Sequence, residues 1–209
     1  MSTATPNMNP EDAWEELPDS CHACLIFDTD AQRDAIVTRY LEAGVRRGEL
    51  VRYFTDVTPP EVVRSWISGV GPRALDASED GPVRIIPAER AYCPDGRFEP
   101  RRLVDAMEPG YVRAMDAGFA GVRTAGEMTW ALRGLPGSDR LMEYEALINT
   151  VPDTYPHLGM CQYDARLFDG ATLFKVLRVH PHVVAGGQVV KNPYYVTPEV
   201  LLAEMGPTP

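Results

Sequence analysis

The segment from His22 to Tyr53 constrains the fold more than any other part of the chain. Cys21–Phe27 is a short continuous apolar run, the pattern of a strand buried on both faces. The spacing predicts a helix over about residues 31–46, with Ile36, Val37, Tyr40 and Leu41 on one face. Asp28 or Asp30 is placed to cap it, and Gly48 suits the left-handed position past its end. Leu50–Thr55 is a second strand. Strand, tight loop, amphipathic helix and strand form one crossover unit.

The rest of the chain repeats this alternation. Thr58 caps a helix to about Ser68, with Pro59 in its first turn. Residues 69–81 form a Gly/Pro/Asp-rich loop, and Val83–Ile86 is a third strand. A turn-rich connection over Tyr92–Phe98 leads to one helix from Glu99 or Pro100 to about Ala117. Gly121–Ala125 is a fourth strand. Ser138 caps a helix to about Asn149, and Leu158–Tyr163 is a fifth strand. A helix over Ala171–Val179 precedes a hairpin signal at Gly186-Gly187, and a short helix starts at Thr197. The fold class expected is α/β: three layers, a mostly parallel central sheet with helices on both faces, and a C-terminal β-hairpin. Residues 1–18 read as a flexible arm with a short turn of helix at 11–17, and 19–209 as a single domain.

Charge and hydropathy exclude several roles. The net charge is -10, so no basic surface is available for direct nucleic-acid binding. No window approaches the roughly 18 consecutive apolar residues of a membrane helix. The polar, acidic N-terminus lacks the pattern of a signal peptide. A cytoplasmic location is expected, with the four cysteines reduced.

The loop after the first strand, Asp28-Thr29-Asp30-Ala31-Gln32-Arg33, stands where a phosphate cradle would sit. A P-loop needs glycines for close backbone approach, a Lys for charge and a Ser or Thr for the metal ion. This loop has neither Gly nor Lys, and with Asp34 it carries three carboxylates, so ATP hydrolysis is not expected there.

The unit is nevertheless similar to the RecA/KaiC-type ATPases, through Tyr40, Leu41, Gly44, Gly48, Glu49, Val51 and Tyr53. The nearer resemblance is to the MEDS domain, the DcmR-type sensory domain of methylotroph and methanogen regulators. It is carried by His22-x-Cys24-Leu25-Ile26-Phe27, Gly44 to Glu49, Arg123-Thr124-Ala125-Gly126-Glu127-Met128-Thr129-Trp130, Glu143-Tyr144-Glu145, Cys161-Gln162-Tyr163-Asp164, His180-Pro181 and Asn192-Pro193-Tyr194-Tyr195. These motifs run in order across about residues 20–196. The resemblance implies a P-loop-like fold without its Walker A motif, used to sense small organic molecules, hydrocarbon derivatives among them. Relatives often carry DNA-binding or kinase-like output modules, and none is expected within these 209 residues.

In parallel α/β sheets, ligands bind beyond the carboxyl ends of the strands. That rule selects Asp28 and Thr29, Thr55 and Asp56, Glu127 to Trp130, and Tyr163 and Asp164 as the lining of one crevice. Glu127 leads these candidates, with Arg123 four residues before it as a partner. It competes with a solvated residue at a helix start. Trp130 is a ligand platform or, more simply, core. Glu145 lies on an apolar helix stripe and must be paired, either with Arg123 or within a site, whereas Glu143 reads as surface. His22, Cys161, Tyr163 and Asp164 complete the ligand-binding candidates, although His22 starts its strand at the end away from the crevice.

Cys21, His22, Cys24 and Cys161 raise zinc, with Cys21, His22 and Cys24 the nominal ligands, but Cys21 and Cys24 in a strand point to opposite faces and no second Cys-x-x-Cys exists, which favours buried thiols. Cys161 as a nucleophile with His180 or His157 as base would be unusual inside a strand. His180 with His182 reads as a metal or pH-sensitive pair, or as a helix-terminal His before a Pro.

The favoured reading is a non-catalytic sensor of a small organic ligand, signalling through a regulatory partner or homo-oligomer, with no cofactor. One alternative is an enzyme using Glu127, Asp28 and Asp164 as acid/base groups. The other is a structural interaction protein.

Overall fold

The structure, a computed structural model, describes residues 20–71 and 81–206. The expected arm, its helical turn and most of the 69–81 loop lie outside the described residues.

The elements run β1 (Ser20–Phe27), α1 (Asp30–Arg46), β2 (Leu50–Thr55), α2 (Pro60–Ile67), β3 (Val83–Pro87), α3 (Ala88–Tyr92), α4 (Pro100–Asp105), α5 (Met107–Asp116) and β4 (Val122–Glu127). There follow α6 (Leu141–Ile148), β5 (His157–Asp164), α7 (Gly170–Val179), β6 (His182–Ala185), β7 (Gln188–Lys191) and α8 (Pro198–Met205). They build a seven-stranded sheet in the order β3-β2-β4-β5-β1-β6-β7. All pairings are parallel except β6 with β7. Gly186 and Gly187 close that hairpin with φ of 58° and 77°, both left-handed as a primed two-residue turn requires.

Successive strand residues point to opposite faces, so the sheet sorts its side chains into two cores. On one face, Val37, Tyr40 and Leu41 of α1 and Val63 and Ile67 of α2 pack on Leu25, Tyr53, Ala125 and Met160. On the other, Tyr92, Leu141, Tyr144 and Val176 pack on Cys24, Cys161 and Tyr163. Each large side chain fully buried this way contributes roughly 1.5–3 kcal/mol. Helix α8 covers α6 and α7 through Leu201, Ala146 and Val179.

Several local expectations change. Thr29, not Asp28 or Asp30, caps α1 by accepting from the Gln32 amide. Pro59, not Thr58, precedes α2, whose first residue is Pro60. The single helix expected to Ala117 is two, α4 and α5, meeting at Ala106. Residues 88–92, of which only Tyr92 is assigned from sequence, form a short helix, so the connection expected from Tyr92 starts at Cys93. Ser138 opens a 3-10 turn ahead of α6 instead of capping it. Among the described residues no helix is long and apolar enough to cross a membrane.

Candidate functional site

The residues expected to line one crevice fall on opposite faces of the sheet. Arg123, completely buried, faces α1. Its Nε donates to Glu49 Oε2 at 2.5 Å, its Nη1 donates to the Tyr40 carbonyl at 3.0 Å, and its guanidinium sits 4.7 Å from the Tyr40 ring centroid. Its partner is therefore Glu49, neither Glu127 nor Glu145. A methyl group at Gly44 would lie 2.7 Å from Arg123 Cδ, so glycine there lets the helix backbone pass this side chain.

Glu127 is buried by backbone it organises. Its Oε2 accepts from the amides of Asp56, Val57 and Thr58 at 2.8, 2.6 and 3.1 Å, and its Oε1 accepts from the Tyr53 hydroxyl at 2.7 Å. It ties the turn after β2 to the end of β4. Asp164 pairs with Arg166 at 2.7 Å, and the same guanidinium reaches Asp30 at 2.6 Å. Asp28 is exposed and its amide donates to Gln32. Trp130 is fully buried and stacked on Tyr92 with ring centroids 4.9 Å apart. Glu143, expected at the surface, is buried and paired with Arg140.

The opposite face gathers His22, Glu145, Cys161 and His180, all buried. One ligand-type atom from each lies within 4.8 Å of all the others. His22 and Cys161 come from adjacent strands, since His22 pairs in register with Gly159. Glu145 comes down from α6, and His180 closes α7. Glu145 Oε2 lies 3.1 Å from His22 Nε2, 3.4 Å from His180 Nε2 and 3.4 Å from Cys161 Sγ. Glu145 Oε1 accepts from the Tyr163 hydroxyl at 2.5 Å. Burial pushes the Glu145 carboxyl up, but the two imidazoles and their hydrogen bonds outweigh it and hold it below the usual range. Burial and the nearby His180 lower His22. Burial raises the Cys161 thiol, and the Glu145 carboxylate adds to this. That does not suit a nucleophile.

Cys21 and Cys24 stand apart from this group. Cys24 donates to the His182 carbonyl, and burial pushes both thiols up to about 12. The cluster therefore joins His22 to Glu145, Cys161 and His180.

Beside the cluster a cavity of about 370 Å³ opens between the sheet and α3 to α6. Its wall is mainly apolar, with Phe54, Ile86, Leu103, Met107, Ile148 and Met160. Polar groups enter from Arg90, Tyr92, Tyr144, Thr124, His157, His22 and Cys161. His157 stacks on Tyr111 and is pushed down to about 3 by desolvation.

The model of the MEDS family, the "MEthanogen/methylotroph, DcmR Sensory domain", matches residues 21–181. The chain belongs to the MEDS family. This MEDS domain is 26% identical over 162 residues to the transcriptional repressor DcmR of Methylorubrum extorquens, covering 76% of this chain and 57% of the repressor. It thus spans little more than half the length of that relative. Among solved structures, an uncharacterized Pyrococcus horikoshii protein in complex with an unknown peptide superposes with a TM-score of 0.56 at 18% identity, over 80% of each chain. That likeness supports the fold alone. A KaiC-like protein from the same archaeal species matches at 14% identity and a TM-score of 0.49, over 78% of this chain and 69% of its own.

Sequence reasoning grouped Cys161 with His22 for zinc and with His180 as a base, but missed that Glu145 joins all three in one cluster. It also missed Tyr92, Tyr144 and His157 as cavity walls. The alternation of strand faces carried the signal for His22 and Cys161, but the adjacency of β1 and β5 did not show.

Proposed function

We infer that this domain is the sensing part of a regulatory system and takes a small, largely apolar organic molecule in the cavity beside His22 and Cys161. Membership of the MEDS family and likeness to a repressor support the regulatory role. The observation that carries the ligand class is the wall of the cavity: mostly apolar, with a few polar groups among the apolar ones, the usual form of a small-molecule site. At about 370 Å³ it is near the lower limit of such sites, which run from roughly 300 Å³ upward. A molecule of few heavy atoms fits such a space. Signalling then requires that the ligand bind one of two conformations more tightly, with a regulatory partner or a second copy of the chain reading the difference. The enzyme reading has less support, because Glu127 and Asp164 already hold amides and Arg166.

The test is native mass spectrometry of the protein purified from its own host, beside the Gly159→Val variant. A Cβ at Gly159 meets only ordinary contacts, 3.5 Å from Thr124 Oγ1 and 3.6 Å from the His157 ring, so valine fits the strand while filling the cavity. The expected outcome is a co-purifying small molecule on the native chain and none on the folded variant. Equal retention of the molecule by both chains would place it elsewhere and refute this site.

A further inference from the structure

The geometry points to a divalent metal site of the zinc class at His22 Nε2, Glu145 Oε2, Cys161 Sγ and His180 Nε2. This goes beyond the sensing role and does not depend on it.

The outward atoms of three of these ligands are already held. His22 Nδ1 lies 3.0 Å from Asn149 Oδ1. The Asn149 amide nitrogen donates to the carbonyls of Glu145 and Val179, so its oxygen is the acceptor and His22 Nδ1 the donor. His180 Nδ1 donates to the Val176 carbonyl at 2.8 Å. Each neutral imidazole therefore commits its one proton outward and turns the Nε2 lone pair into the cluster. Tyr163 holds Glu145 Oε1, leaving Oε2 turned the same way. Hydrogen bonds that fix the tautomer and aim the ligand atom are the outer shell a metal site requires.

One inner atom lacks a partner, and the others contact one another. His180 Nε2 is fully buried and has no hydrogen-bond partner. It faces a carboxylate oxygen at 3.4 Å, and His22 Nε2 faces the same oxygen at 3.1 Å. Neutral rings set lone pairs against that carboxylate, so attraction here needs either a proton on an Nε2 or a cation between the three. A cation at the centre turns every one of these contacts into an attraction.

The separations fit a tetrahedral ion. Bond lengths of about 2.0–2.1 Å to N and O and about 2.3 Å to S place tetrahedral ligand atoms roughly 3.3 Å apart for N and O, and roughly 3.5 Å when one is sulfur. The observed values are 3.1 Å and 3.4 Å between nitrogen and oxygen, 3.5 Å from Cys161 Sγ to His22 Nε2, and 3.4 Å from Cys161 Sγ to Glu145 Oε2. The two remaining separations, both to His180, are within 4.8 Å.

Charge also balances. Carboxylate and thiolate cancel the divalent ion beside two neutral imidazoles, which allows full burial. Loading releases the thiol proton of Cys161 to solvent. A mixed set of N, S and O donors favours a borderline ion such as zinc over magnesium or calcium. His22 and Cys161 also line the cavity, so the ion would sit in its wall.

The test takes the whole chain, stripped with a chelator, confirmed folded by circular dichroism, and titrated with cobalt(II) and then zinc(II) in the absence of any organic molecule. One cobalt per chain is expected, with tetrahedral d–d bands and a thiolate charge-transfer band, both erased by one equivalent of zinc. Cys161→Ser should abolish the charge-transfer band, whereas Cys24→Ser should retain it. His180→Gln should weaken zinc more than about 100-fold, and Asn149→Ala about 10- to 100-fold, as lost outer-shell partners do. The proposal is overturned if the folded native chain takes up no cobalt or zinc at micromolar concentration, or if binding survives both Cys161→Ser and His180→Gln. Should a variant fail to fold, the charge-transfer band of the native chain decides, and its absence overturns the site. None of these readouts involves the organic ligand, so failure here is distinct from failure of the sensing role.

Discussion

Replacing Arg123 with methionine separates a structural role for this residue from a ligand-binding one. The side chain is completely buried, donates twice to Glu49 at 2.5 and 3.3 Å and once to the Tyr40 carbonyl, and stacks over Tyr40. Methionine keeps much of the stem, so the cavity left is small and the cost comes from the lost polar contacts. Glu49, only 5% exposed, would be left with Arg47, whose Nε lies 2.7 Å from Oε1. Breaking a buried pair from one side costs about 3–5 kcal/mol, and the surviving Arg47 contact sets the expectation at the lower end, about 3 kcal/mol. For a chain of this length that lowers Tm by roughly 6–12 °C. Urea unfolding followed by circular dichroism measures it, and the double variant Arg123→Met with Glu49→Leu should recover part of the loss because no charge is then stranded. A cost under about 1 kcal/mol together with loss of ligand binding would refute the structural assignment and return Arg123 to the site.

Glu127→Gln removes the anion that holds three consecutive amides. The expected loss is about 2 kcal/mol with ligand retention unchanged, whereas an unchanged Tm and abolished retention would point to a binding role. Cys21, Cys24, Cys93 and Cys161 are all buried, and the first two are pushed up to about 12, so a disulfide exchange reagent at mildly alkaline pH should find no rapidly reacting thiol until urea opens the chain. One fast stoichiometric thiol in the native state would contradict the packing. The Arg166 guanidinium holds the Asp164 carboxyl below its usual value. This pair stabilises fully above the unfolded value, near pH 4, and its contribution is lost as pH falls through the lowered folded one. Asp164→Asn should therefore flatten acid destabilisation in that window; an unaltered acid limb would show that the pair adds nothing.

The architecture was legible because it rests on local patterns. The apolar run at Cys21–Phe27, the helical spacing of Val37, Tyr40 and Leu41, and the Gly186-Gly187 turn each imply their element without reference to the rest of the chain. The break at Ala106 was legible but overlooked: Pro109 lacks an N–H and its ring clashes with the Asp105 carbonyl of a continuous helix, so α4 ends at Asp105 and Pro109 falls in the first turn of α5. The site was harder, since it depends on strand order. Arg123 and Glu127 share a face by alternation, which sequence can show, but only the packing of α1 brings Glu49 to Arg123.

Glu145 illustrates the same limit from the other side. A carboxylate on an apolar helix stripe had to be paired, and Arg123 was the available cation when the chain was read as a line. The sheet places β5 between β4 and β1, so Cys161 and His22 become neighbours although 139 residues separate them, and α7 brings His180 over both. Arg123 ends on the face with α1 while Glu145 lies on the face with α7, and the sheet stands between them. The partner of a buried charge is set by which helix covers which face, and that is a property of strand order, not of spacing along the chain. The same order turns four residues that carry weak motifs separately into one cluster whose lone pairs converge.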